Sequence, residues 1–177
     1  THDGATVIAG GFFDHVGSTS RSHIAAIDAR SDSSGFGQAL SWDPSSTGQI
    51  RSLAVSPDDS TVYVGGDFWD GGDPSVMTIG GVHRNSAAAF RLGARTGGAS
   101  GTCLDAYDAA DCVSAWNPDL NAPPYALAAT ATKVFAGGYF EQSHMRSSPE
   151  LTPRVAAFAP DTSAVVGRRG PRHGRLR

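Results

Sequence analysis

Lysine is almost absent from this chain: Lys133 is the only one, and arginine carries the rest of the positive charge. With a net charge of -3, the body of the protein offers no basic surface of the kind that grips a nucleic-acid backbone. No run approaches 18 apolar residues, so no helical membrane span is expected. No basic-then-apolar leader opens the chain at Thr1, so any export signal is expected to have been removed or to lie outside it. Helix signals are missing too, since no segment keeps an apolar period of 3.6 between caps, and this excludes a long helix. Cysteine is scarce: Cys103 and Cys112 stand nine positions apart in "TCLDAYDAADCVSAW". That spacing, without further ligands, excludes an ordinary zinc site and leaves a local disulfide or a pair of free thiols. The disulfide is the favoured reading, and it places the protein outside the reducing cytoplasm.

What is abundant is glycine, 22 residues, alongside 10 prolines, a balance that suits many turns and short strands. The preference for Arg, Ala and Gly is that of a GC-rich genome. A chain of 177 residues is one ordinary domain or one part of a larger repetitive one. The repetitive reading is written in the sequence. "VIAGGFF" starts at Val7, "VYVGGDF" at Val62 and "VFAGGYF" at Val134. Each is followed by a small-residue apolar run: "IAAID" from Ile24, "AAAFR" from Ala87 and "VAAFA" from Val155. Two copies lead on to a tryptophan phrase, "WDP" at Trp42 and "WNP" at Trp116. A further apolar run, "IRSLAVS" from Ile50 or "YALAATA" from Tyr125, precedes the next glycine pair.

The spacing between copies is 55 residues and then 72. Two insertions account for the excess: a Gly/Asp/Pro segment, Asp70 to Met77, and the stretch that carries both cysteines. Insertions of that composition belong in surface loops. Each unit therefore reads as four short strands, placed in the second copy near residues 50–55, 61–68, 86–92 and 112–117. "SPDDST", from Ser56 to Thr61, reads as a hairpin turn.

Four strands in a repeat of about 50 residues are the signature of a β-propeller blade. The expected fold is all-β, an incomplete propeller of about three four-stranded antiparallel blades. Glycine pairs weaken strands, so their recurrence at Gly10 and Gly11, Gly65 and Gly66, and Gly137 and Gly138 asks for a reason. Close approach of neighbouring blades supplies one, with the following Phe13, Phe68 and Phe140 filling the gap between blades and Trp42 and Trp116 recurring beside them. The alternative makes each pair a bulge or turn in an ordinary sandwich.

The pattern "VYVGGDF...TIGGVHRNSAAAF...WNP" resembles the delta-60 repeat family, bacterial β-propeller repeats found mostly in secreted or cell-surface proteins. The resemblance spans residues 1–165, in units of approximately 1–49, 50–123 and 124–167. It implies kelch-like or WD-repeat-like blades within a propeller of about seven, and it brings no defined catalytic residues. The second unit is enlarged and the third lacks its tryptophan phrase.

"HDGATVIAGG" matches "PDDSTVYVGG" position for position, so the chain is expected to open inside a hairpin turn. At the other end, residues 168–177 hold five arginines where a tryptophan phrase is expected. That tail reads as a basic arm, a disordered terminus or, by preference, out-of-frame translation. Fewer than three full blades cannot close, so exposed terminal faces are expected, with a marginal, aggregation-prone chain as the consequence.

Catalytic constellations are not legible. His2, His15, His23, His83, His144 and His173 form no metal-binding pair, and no serine sits in a nucleophile elbow. Asp67, Asp70 and Asp73, three apart in a glycine-containing loop, are the candidate calcium ligands; a solvated turn is the alternative. Arg21 and Arg84 occupy equivalent positions and are expected to pair with a turn carboxylate such as Asp28 or with backbone carbonyls. Trp69 and Tyr107, one in each inserted loop, are candidates for an exposed recognition surface. The expected function is a non-enzymatic extracellular scaffold for a protein or glycan partner. The alternative is a piece of a propeller enzyme (glycosidase, lyase or quinone-dependent dehydrogenase) whose catalytic residues lie in other blades.

Overall fold

The computed structural model describes residues 1–68, 78–93, 101–144, 147 and 149–166, and they form an all-β structure of small antiparallel sheets. Sheet 1 pairs β1 (Thr6–Gly10) with β4 (Ile24–Asp28), and a two-residue-strand hairpin, β2 (His15–Val16) and β3 (Thr19–Ser20), lies between them in sequence. Sheet 2 orders β5 (Ile50–Val55), β6 (Thr61–Gly66) and β9 (Ala87–Arg91), with the hairpin β7 (Thr78–Ile79) and β8 (Val82–His83) before its last strand. One helical turn, α1 (Ala109–Cys112), follows. Sheet 3 repeats the order with β10 (Pro124–Ala129), β11 (Val134–Gly138) and β14 (Val155–Phe158), and the hairpin β12 (Gln142–Ser143) and β13 (Glu150–Leu151).

The turn chemistry repeats atom for atom. In "SPDDST" the Asp58 carboxylate accepts from the Ser56 hydroxyl at 2.5 Å and the Ser60 N–H at 3.2 Å, and Thr61 N–H reaches Ser56 Oγ at 3.0 Å. At the start of the chain Asp3 accepts from the Thr1 hydroxyl at 2.5 Å and the Ala5 N–H at 2.9 Å, while Thr6 N–H reaches Thr1 Oγ1 at 3.0 Å. Gly4 and Asp59, the matching positions, both enter the left-handed region, at φ 73° and 56°.

The three glycine pairs sit on one element at one register. Gly10 pairs with Ile24, Gly65 with Ala87 and Gly137 with Val155 across equivalent ladders. The residue before each third strand, His23, Ser86 or Arg154, takes a φ of 67°, 59° and 59°. In each case its carbonyl accepts from the second glycine of the pair, and its N–H donates to the carbonyl of Phe13, Phe68 or Phe140.

Two apolar clusters join the sheets. Ile24, Ala26 and Trp42 meet Ile50, Val62, Val64, Phe68, Ala88 and Phe90 between sheets 1 and 2. Tyr63, Ala87, Ala89 and Trp116 meet Val134, Ala136, Phe140, Ala156 and Phe158 between sheets 2 and 3. Each tryptophan stands edge-on to the next sheet's phenylalanine: Trp42 to Phe90 at 5.9 Å and Trp116 to Phe158 at 6.2 Å. A Cβ on Gly65 would collide with Pro124 of β10 and Ser52 of β5, and one on Gly10 with Ile50 of β5. Pro124 and Ile50 are equivalent residues, so the first glycine of these pairs marks where the next sheet's first strand comes close.

The fourth strand expected near residues 112–117 is not there. Val113 makes one bridge to Phe90, and Ala39 and Val165 make the matching single bridges to Ile27 and Phe158. In the first two units guanidinium groups donate to backbone carbonyls beside these bridges. Arg84 donates to Ser114 O at 3.1 Å, Arg91 to Val113 O at 3.1 Å, and Arg21 to Leu40 O at 2.6 Å. Arg21 and Arg84 thus clamp the backbone two residues before each tryptophan. Asp28 instead holds Arg30, at 2.7 Å.

Candidate functional site

Cys103 and Cys112 form a disulfide, with both residues fully buried against the core between sheets 1 and 2. The other sequence-derived positions disperse. Asp67 is committed to Arg51, whose Nε and Nη2 reach Asp67 Oδ2 at 2.8 and 2.5 Å. Asp70, Asp73 and Trp69 lie outside the described residues, as does the 168–177 tail. Tyr107, expected on an exposed loop, is half-buried: its ring packs on Phe90 and its hydroxyl donates to Gly80 O at 2.8 Å. Burial raises the Tyr107 phenol well above the ordinary range, with Asp108 adding to it. The described part of the inserted segment, with Cys103, Tyr107 and Cys112, therefore packs back against the core. His15 pairs with Asp14 at 2.9 Å on an exposed hairpin. Among the described residues no cluster of three or more His, Cys, Asp or Glu side chains could hold a metal ion.

A different set of residues comes together at the glycine-pair end of sheets 2 and 3. Arg51 lies over the Tyr125 ring at 5.7 Å, and Tyr125 meets Tyr139 edge-on at 5.3 Å. Arg154 lies over the Tyr139 ring at 5.8 Å and reaches Glu141 at 3.5 Å. From Asp67 to Glu141 this is an unbroken ladder of carboxylate, guanidinium, two phenols, guanidinium and carboxylate. Tyr125 and Tyr139 are 46% and 64% exposed, so the ladder is presented to solvent.

The backbone places these side chains by the repeat. Arg51 and Tyr125 are equivalent residues on β5 and β10, each one position after a residue paired with a second glycine. Asp67 and Tyr139 both fill the x of "GGxF", directly after β6 and β11; Phe12 fills it after β1 and stacks on His23 at 5.4 Å. Arg154 owes its aim to the left-handed backbone it shares with His23 and Ser86. The available signal was that x: between glycines and phenylalanines that recur, this one place changes from Phe to Asp to Tyr.

At the opposite, turn end of the same two sheets a cleft of about 320 Å3 is lined by Tyr63, Asp58, Asp161 and Thr130. Tyr63 donates to Pro160 O at 3.5 Å, and burial, with Asp58 and Asp161 nearby, raises its phenol above the ordinary range. A phenol held protonated and engaged by a carbonyl is a packing group there.

No protein-family model, curated protein or solved structure matches the chain.

Proposed function

We propose that this chain is a segment of an extracellular, non-enzymatic β-propeller of delta-60-like repeats, whose arginine–tyrosine ladder binds a protein partner. Support for the propeller comes from three units that share glycine register and stack in chain order, the first two also sharing turn chemistry and a tryptophan packed on the next sheet. The buried disulfide supports an oxidising compartment.

The ladder is the observation that carries the binding role. Tyrosine and arginine dominate the strong contacts of protein interfaces, and here they are preorganised by stacking on one another rather than left to be ordered on binding. A glycan needs open ring faces to stack on; each tyrosine already carries a guanidinium over one face and a neighbouring ring at its edge or face. Charges of both signs along the ladder suit a protein surface of mixed sign better than a neutral sugar chain.

Biolayer interferometry against extracellular proteins and an immobilised glycan panel, with wild type and Tyr139→Ala and Arg154→Ala variants, tests this. The expected outcome is a protein partner whose affinity falls in both variants, by about 2 kcal/mol or roughly thirtyfold for a strong contact. Their melting temperatures should be unchanged, since both side chains are exposed. A partner bound equally by all three proteins rules the ladder out, and binding of glycans alone redirects the reading to carbohydrate.

A further inference from the structure

The two outer faces of the three-sheet stack are halves of an interface that the molecule already makes twice. On one side of the repeat the matched cross-strand pairs are Val7 with Ile27, Val62 with Phe90, and Val134 with Phe158. The last two pairs are fully buried under the preceding sheet, whereas Val7 is 51% exposed. On the other side, the residues facing the first glycine of each pair are Ile24, Ala87 and Val155. Ile24 and Ala87 are fully buried under the following sheet, whereas Val155 is 72% exposed. Phe135 behaves alike: its counterpart Tyr63 is buried in the second cluster, and Phe135 is 41% exposed. Gly137 agrees, because a Cβ there would meet nothing closer than Arg154 O at 3.8 Å, where its counterparts meet the next sheet.

What covers such faces is therefore on view inside the molecule: the Val62 type of face covers the Ile24 type, and the Val134 type covers the Ala87 type. One chain carries an uncovered example of each. We propose that, in the 177-residue chain by itself, with no further propeller unit on these faces, a second copy docks head to tail, its Val7 face on sheet 1 covering the Val155 and Phe135 face on sheet 3. The contact is heterologous, so each dimer keeps one free face of each kind and growth continues by the same contact. Sheet 1 has two strands where sheets 2 and 3 have three, so the copy leaves the Gly137 end open and the association is weak and concentration-dependent.

Sedimentation equilibrium of the full 177-residue chain from micromolar to millimolar concentration tests this, alongside Val7→Asp and Val155→Asp. Wild type is expected to rise above the monomer mass as concentration increases, and each variant to stay monomeric. An equimolar mixture of the two variants should give one-to-one heterodimers and nothing larger, because each retains the face the other has lost. Circular dichroism melts check that both variants fold, and the milder Val7→Thr and Val155→Thr pair should show the same pattern with weakened self-association. A wild type that stays monomeric overturns the proposal and assigns the faces to another occupant, such as a further unit of a longer chain. Self-association kept by either Asp variant, or a mixture that forms no heterodimer, overturns the head-to-tail geometry.

Discussion

Gly65 and Gly137 stand at the same ladder position and differ in what faces them. A methyl group at Gly65 meets Pro124 and Ser52 in the space between two sheets, and one at Gly137 meets only Arg154 O, at an ordinary contact distance of 3.8 Å. Gly65→Ala is expected to destabilise the fold by about 1–3 kcal/mol through overpacking. Gly137→Ala, at a backbone any residue can adopt, should be neutral or stabilise by about 0.4–1 kcal/mol by restricting the unfolded chain. Urea midpoints for the two variants decide it; equal losses at both sites would tie the glycines to the strand itself and not to the approach between sheets. Asp28 is the second informative residue. Its carboxyl is held well below the ordinary carboxylate range by Arg30 first and by the Ser33 hydroxyl next. A depressed folded-state value gives stability that is fully present above the unfolded pKa, near 4, and lost as pH falls below it. Asp28→Asn should therefore melt lower than wild type at neutral pH and lose less on acidification through about pH 4, read from melting curves across that range.

At the scale of elements, the disulfide is the clearest case. Cys103 and Cys112 close a nine-residue separation beside α1 and bury both sulfurs against the first core cluster. Closing so short a loop in the unfolded chain is worth about 2–3 kcal/mol in the chain-entropy model. The Cys103→Ala/Cys112→Ala double variant is expected to melt about 5–10 °C lower than wild type, and reduction of wild type should reproduce most of that loss. Matching melts for oxidised and reduced protein would mean that packing alone holds the segment. The elements also show where sequence reading stops. Strands β5, β6 and β9 were legible from alternation and turn residues, and "SPDDST" from its aspartates. The hairpin β7–β8 was missed although "TIGGVH" carries a two-glycine turn, Gly80 and Gly81 at φ 65° and 74°, between apolar pairs. Two-residue strands leave too little alternation to register. The expected fourth strand shrank to a single bridge in all three units, and in two of them arginines from elsewhere in the unit donate to carbonyls beside that bridge.

At the scale of the whole molecule, three units stack so that the middle sheet is covered on both sides and each outer sheet on one. That asymmetry makes Val7 and Val155 exposed while their counterparts are buried, and it is why self-association is read from burial and not from composition. The stacking of sheet 3 on sheet 2 makes the ladder, since Arg51 belongs to sheet 2, Tyr125 belongs to sheet 3 and Tyr139 directly follows β11. Taken alone, the amino-acid order determined the repeat, its register, the turns, the disulfide partners and the all-β class, because each depends on residues near one another in the chain or on identical phrases recurring. The tertiary structure alone decided that Tyr107 packs on Phe90 and bonds Gly80, that Asp67 is held by Arg51, and that the variable residues of the second and third "GGxF" phrases join one surface ladder. Those outcomes depend on which side chains from separate units arrive within a few ångströms of each other, and the distance along the chain carries no record of that.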